Sequence, residues 1–370
     1  MPARRSTATL VLLVAAGAVL VILVVLLSGG ASPRGDRGSP TPRGATDAAT
    51  GTPTAEPTDG VTPTGGATPT GGATPTGPPL SGSWEERAPA PVPLTEVAAA
   101  AHGGRVWVVG GFAADGSASR AVQVYDPAAD RWSEGPALPD GVHHAALVST
   151  GAELILLGGY RGGGFGGPVA TVLRLGDPNG GWSPGPDLPG ARAAGAAAWD
   201  GTRVVYGGGV GPDELSGDVL VLEGGSWRRI GALDPAREHL GAASDGAGTT
   251  FFLGGRRGGL SGNLAAVDVV VADAVRHLGD LPTRRGGVAG FWSAVHGACL
   301  AGGEEPGGTF GQVECIRADG SVSRLPDLGR PRHGLGAAVV EGVAYVLLGG
   351  TRPGLSVSGT VEALVLGLTD

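Results

Sequence analysis

The chain has 370 residues, a formal charge of −8 at pH 7 and 16% charged side chains. That charge is modest and gives no reason to expect non-specific nucleic-acid binding. With 72 Gly and 29 Pro, both penalised in helix interiors, the composition excludes a mainly helical protein and favours many short strands joined by turns. The basic residues are all Arg, the habit of a GC-rich bacterial coding sequence.

In chain order, residues 1–7 carry Arg4 and Arg5 and are expected on the cytoplasmic side. The uncharged run ATLVLLVAAGAVLVILVVLL, residues 8–27, is long enough as a helix to cross the roughly 30 Å hydrocarbon core. It predicts a retained transmembrane signal-anchor. Cleavage and secretion is the alternative, although the apolar run is longer than that of a signal peptide and SGGAS at 28–32 is a weak cleavage site. Residues 28–82, with ATPTGGATPTGGATPTGPP, hold almost no large apolar side chain and read as a disordered stalk. Its Pro-flanked threonines suit O-glycosylation or a plain spacer equally. The bulk of the protein is thus expected outside the cytoplasm, tethered to the cell membrane.

From residue 83 a pattern recurs. VWVVGG, LILLGG, VVYGG, FFLGG, CLAGG and YVLLGG place the first Gly of a pair at 110, 158, 207, 254, 302 and 349, at intervals of 48, 49, 47, 48 and 47. Each run follows a small-residue segment such as GAAAW and precedes another apolar segment such as AVQVYD. A Trp-bearing segment, RWSEG, GWSPG or SWRRI, closes the first three repeats, and Val275 and Val322 stand in place of Trp in two later ones. Four strands per period of 40–50 residues is the signature of propeller blades. The sixth repeat ends without a fourth strand, while SWEER at 83–87 has the missing character. An N-terminal strand is therefore expected to complete the last blade.

These diglycines, the Tyr125-Asp126 pair, Trp132, Trp182 and Trp227, and the LP turns at 138, 188 and 281 resemble the kelch repeat family over residues 83–370. The resemblance implies an all-β, six-bladed kelch-type β-propeller. In kelch proteins that bind acidic peptides, Arg residues ahead of each blade contact the ligand. The resemblance thus implies a ligand-binding set of His143, Arg161, Arg192, Arg237, Arg256, Arg284 and Arg332, in which guanidinium groups would pair with carboxylates. The competing reading is structural, with the same Arg residues bonded to blade backbones or to nearby acids. Arg285, His144 and His333 are adjacent alternatives, and the first blade has Glu96 at this place.

Cys299 and Cys315 flank a loop centred near residue 307 and could pair across a hairpin as a disulfide, or remain two buried thiols. The seven His show no metal-ligand spacing, and His143 and His144, read as strand neighbours, should point to opposite faces. No metal, cofactor or catalytic residue is assigned, and the kelch copper oxidases are not matched. The favoured function is a membrane-anchored binding module for a protein, peptide or envelope glycan, possibly acidic, with no nucleic acid. The alternative is a sugar epimerase- or isomerase-like enzyme at the channel mouth, which would need an acid/base pair there. Glu96, Glu238 and Glu304 are available for it, but sequence alone does not place them together.

Overall fold

The computed structural model describes residues 82–367, together with the backbone of Val11–Ala15 and Ala18–Ile22. Those two short segments pair with each other as antiparallel strands. Among the described residues, no helix is long and apolar enough to cross a membrane. The expected helix over residues 8–27 is therefore not what the described part shows. The run is rich in Val, Ile and Leu, and β-branched side chains suit strands as readily as helices. The remainder of that run, residues 1–7 and the stalk up to residue 81 lie outside the described residues.

From residue 82 the chain forms six four-stranded antiparallel sheets. Blade 1 comprises Ala98–His102, Arg105–Val109, Val122–Asp126 and Arg131–Glu134. Blade 2 comprises Ala146–Ser149, Leu154–Leu157, Val172–Leu175 and Ser183–Pro184. Blade 3 comprises Ala196–Trp199, Val204–Gly207, Asp218–Glu223 and Ser226–Ala232. Blade 4 comprises Gly241–Ser244, Thr249–Leu253, Ala266–Val271 and Ala274–Asp280. Blade 5 comprises Ala289–Ser293, Gly297–Ala301, Val313–Ile316 and Val322–Leu325. Blade 6 has Gly336–Val340, Val343–Leu347 and Val361–Val365, and its fourth position is taken by Glu85–Arg87, which pairs with Val361–Ala363.

Each first strand packs against the first strands of both neighbouring blades, with blade 6 against blade 1. That crowding explains the Ala and Gly there: a Cβ on Gly290 would collide with the Ala242 backbone of the preceding blade. Six apolar clusters each lie between two adjacent blades, such as Val205, Val221, Phe252 and Val270 between blades 3 and 4. Both faces of a second strand are therefore buried, which is why VWVV and LILL read as unbroken apolar runs rather than alternating ones. Each such side chain contributes about 1.5–3 kcal/mol when fully buried.

Two devices join neighbouring blades. The indole N–H of Trp132 donates to the Ala88 carbonyl at 2.8 Å, that of Trp182 to Pro136 at 2.8 Å and that of Trp227 to Pro186 at 2.7 Å, in each case in the turn leading from the previous blade. Trp84 makes the same bond to Pro326 at 2.8 Å. The second device is the diglycine. Gly159 N–H donates to the Arg192 carbonyl of the following blade, and equivalent bonds run from Gly111, Gly209, Gly255 and Gly303. The preceding residue has a positive φ; at Gly158 it is 61°, and a Cβ there would strike the Arg192 carbonyl. The working pair is Gly208-Gly209 in blade 3 and Leu348-Gly349 in blade 6, with Leu348 itself at φ 57°. The sequence alignment at Gly207 and Gly349 was thus one residue out in both blades, because each has a run that offers two registers.

Candidate functional site

The segment just before each first strand carries one residue with a positive φ: Glu96 at 53°, His144 at 54°, Ala194 at 54°, His239 at 52°, Gly287 at 72° and Gly334 at 58°. Their backbones close a ring. His144 N–H donates to Glu96 O at 3.1 Å, Ala194 to His144 at 2.8 Å, His239 to Ala194 at 2.8 Å, Gly287 to His239 at 3.0 Å and Gly334 to Gly287 at 2.9 Å. Val97 N–H completes the circle on Gly334 O at 3.3 Å. Four non-glycine residues in the left-handed region on one ring are strained positions of the kind that cluster at functional sites. All six residues line one cavity at the axis.

The residues immediately before the ring bridge to those following the diglycines, as Glu238 does to Arg256, Gly286 to Glu304 and His143 to Tyr160. A polar layer results at the mouth where the longer loops emerge. His144 Nε2 lies 3.3 Å from Glu96 Oε2 and 3.0 Å from His239 Nε2. His333 Nδ1 lies 3.2 Å from Glu96 Oε1 and 3.5 Å from Glu304 Oε1. Arg256 donates to Glu304 at 2.8 Å and sits 3.5 Å from Glu238. On one side His143 stacks on Phe112, ring centroids 3.6 Å apart, and Phe165 lies 5.5 Å from the His144 ring.

Burial alone would raise the Glu96 carboxyl, but the surrounding His144, His333 and His239 rings hold it well below the ordinary range. Glu238 is likewise opposed by burial, yet His239 and Arg256 bring it down to about 2. Burial lowers His143 to about 4 and dominates at His144, which is also held low. Burial works against the His333 imidazolium as well, but Glu96, Glu304 and the Arg352 carbonyl overcome it and raise its pKa.

The residues singled out from sequence fall into three groups. Arg192, Arg237 and Arg332 are buried within the blades: Arg192 pairs with Asp218 at 3.0 Å, Arg237 with Asp268 at 2.7 Å, and Arg332 with Glu362. Each also donates to backbone carbonyls of its own blade. The fourth member of this series is Arg285, paired with Glu314 at 3.1 Å, whereas Arg284 beside it is exposed. In blade 1 the place is taken by Leu94, and the Gln123 side chain exchanges two hydrogen bonds with Val92 instead. Arg161 lies exposed on the rim, 3.6 Å from Asp140. Only His143 and Arg256 of the set belong to the buried polar layer. Cys299 and Cys315 face each other across paired strands and are joined as a disulfide, S–S 2.06 Å.

His143 and His144 do not diverge as strand neighbours would; their Nδ1 atoms are 2.6 Å apart. The positive φ of His144 breaks the alternation and turns its ring toward the axis. The gathering of Glu96, His144 and His239 escaped a search for local ligand spacing because the partners come from different blades. Their separations of 48 and 95 residues are one and two repeats, and that phase was the available signal.

A kelch motif family model matches residues 93–139. Kelch-like protein 36 of Mus musculus is 42% identical over 65 residues, 17% of this chain and 11% of that protein. Kelch-like protein terF of Aspergillus terreus is 34% identical over 86 residues, 22% and 19% of the two chains. Kelch-like protein 35 of Mus musculus is 26% identical over 149 residues, 40% and 25%. The matches thus span a quarter or less of these relatives' lengths. The solved structure of YjhT matches with a TM-score of 0.63 over 74% of this chain and 95% of that one at 14% identity, a likeness of fold.

Proposed function

We propose that this six-bladed propeller, whose first repeat matches the kelch motif model, is a protein-binding module which uses the loop-bearing mouth as its contact face, tethered to the cell membrane on the extracytoplasmic side. The observation that supports the contact face is the pair Phe165 and Leu355, 60% and 49% exposed. Both are large apolar side chains on loops of this mouth that also carry the exposed Arg161 and Arg352. Apolar anchors with guanidinium groups on the same loops suit a protein surface carrying acidic residues. The apolar run at residues 8–27 supports the tether.

The test is capture of envelope proteins by the full chain. A partner bound by the wild type is expected to be lost from Phe165→Asp and Leu355→Asp and kept by Val271→Asp, whose exposed side chain closes its strand at the opposite end. Retention by both rim variants would overturn the reading. A second reading, a sugar epimerase- or isomerase-like enzyme, draws on Glu96 lying 3.2 Å from His333, an acid/base pair of the kind such chemistry needs. Screening the same preparation for sugar turnover, with Glu96→Gln as control, separates the two.

A further inference from the structure

We propose that Glu96, His144 and His239 form a binding site for one divalent transition-metal ion of the zinc class, on the propeller axis. The inference is independent of the protein-binding reading. One ligand comes from the segment ahead of each of blades 1, 2 and 4, and each is held on the closed backbone ring. His144 Nε2 is 3.0 Å from His239 Nε2 and 3.3 Å from Glu96 Oε2. Two ligands bound to zinc at about 2.05 Å at the tetrahedral angle stand roughly 3.3 Å apart.

The hydrogen-bond network dictates which atoms face inward. The Gly164 carbonyl can only accept, so His143 Nε2, 3.0 Å away, carries a proton. A neutral His143 then presents a lone pair at Nδ1, and the proton in the 2.6 Å contact belongs to His144 Nδ1. His144 Nε2 is left with a lone pair. On His239, Nδ1 lies 3.1 Å from Glu238 Oε2 without a well-aligned hydrogen bond. A proton on that atom faces the carboxylate and bares Nε2. Two imidazole lone pairs and a carboxylate oxygen are then gathered within 4.8 Å of one another, and a single proton can bridge only one pair of them. A metal ion satisfies all three.

The outer groups have the form seen around metal sites. His239 is backed by a carboxylate, and His144 is backed by His143 and through it by a carbonyl. The neighbouring trio of Glu96, Glu304 and His333 is engaged otherwise. Glu304 takes the Arg256 guanidinium and the Gly354 N–H, and His333 Nε2 donates to the Arg352 carbonyl. Two nitrogens and one oxygen match zinc-class ions better than calcium or magnesium. Three protein ligands leave a further coordination position for water, on the side of the open cavity.

The test uses the full chain, dialysed against chelator and titrated with Zn2+ by calorimetry, and separately with Co2+ by visible absorption. One ion per chain is expected, with Co2+ giving the d–d bands of a low-coordinate nitrogen and oxygen site. His239→Asn, which keeps a side chain tolerated at positive φ, and the isosteric Glu96→Gln should each weaken binding by more than about tenfold. His277→Asn, at an exposed histidine whose carboxylate neighbours are Asp268 and Asp280, should leave it unchanged. Absence of stoichiometric binding, binding that survives both ligand substitutions, or loss on His277→Asn would overturn the proposal. Should His239→Asn fail to fold, Glu96→Gln decides.

Discussion

Replacing Arg237 by Ala separates a ligand contact from a structural strut. The side chain has no exposed surface, donates to the Gly254 carbonyl at 2.7 Å and the Phe252 carbonyl at 3.2 Å, and pairs with buried Asp268 at 2.7 Å. Truncation leaves the Asp268 carboxylate, 2% exposed, without its counter-charge. Removing one member of a buried pair costs about 3–5 kcal/mol. At about 2–4 °C per kcal/mol for a large domain, the melting temperature should fall by roughly 6–20 °C. The companion Arg237→Met/Asp268→Leu removes both charges and should recover most of the loss, because the cost lies in the orphan and not in the missing pair. Thermal melting followed by near-UV circular dichroism and urea denaturation of the three proteins gives the comparison. If Arg237→Ala melts with the wild type and instead loses binding to acidic peptides, the strut reading is refuted and the ligand reading restored.

Three further outcomes rest on other contacts. Trp84→Ala removes a side chain only 8% exposed together with its bond to Pro326, and should cost about 3–5 kcal/mol in urea denaturation; deleting residues 82–90 would bare Val361–Val365 as a sheet edge and raise light scattering, whereas a soluble, cooperatively melting deletion would contradict closure. At Asp200 burial opposes ionisation, but the Arg203 guanidinium and the Thr202 and Arg203 backbone N–H groups prevail and lower the carboxyl pKa. Its stabilisation is complete above the unfolded carboxylate value and is lost as pH falls through the lower folded one, so Asp200→Asn should flatten the acid limb of melting temperature against pH below about 4, and parallel curves for the two proteins would count against it.

The blades were legible because each repeat writes the same backbone need into the same residue types. Diglycines mark positive φ and close approach, unbroken apolar runs mark strands buried on both faces, and Trp132, Trp182 and Trp227 mark the clasp between blades. Trp84 carried the same clasp signal ahead of the first repeat. The register was less legible at Leu348, where a bulky residue takes the positive φ that glycine takes elsewhere. The Arg series was visible, but its partners Asp218, Asp268, Glu314 and Glu362 sit on third strands some 26–31 residues later, so burial and pairing were not. The axial cluster was hidden for the same reason on a larger scale: nothing local to Glu96 announces His239, and only the shared phase within the repeat connects them.

The backbone ring at the axis separates two jobs that most folds combine in one residue. Its hydrogen bonds run through N–H and C=O groups alone, so the circle closes whatever side chain each seat carries. Space, however, is shared. A Cβ on Gly334 would lie 2.6 Å from Glu96 Oε1, and one on Gly287 would lie 3.3 Å from Glu304 Cγ. The small occupants Gly287 and Gly334 thus leave the room in which the carboxylates of Glu304 and Glu96 stand. Chemistry at the axis can be exchanged without rebuilding the scaffold, but only in complementary moves, each gain of bulk at one seat matched by a loss at the seat beside it.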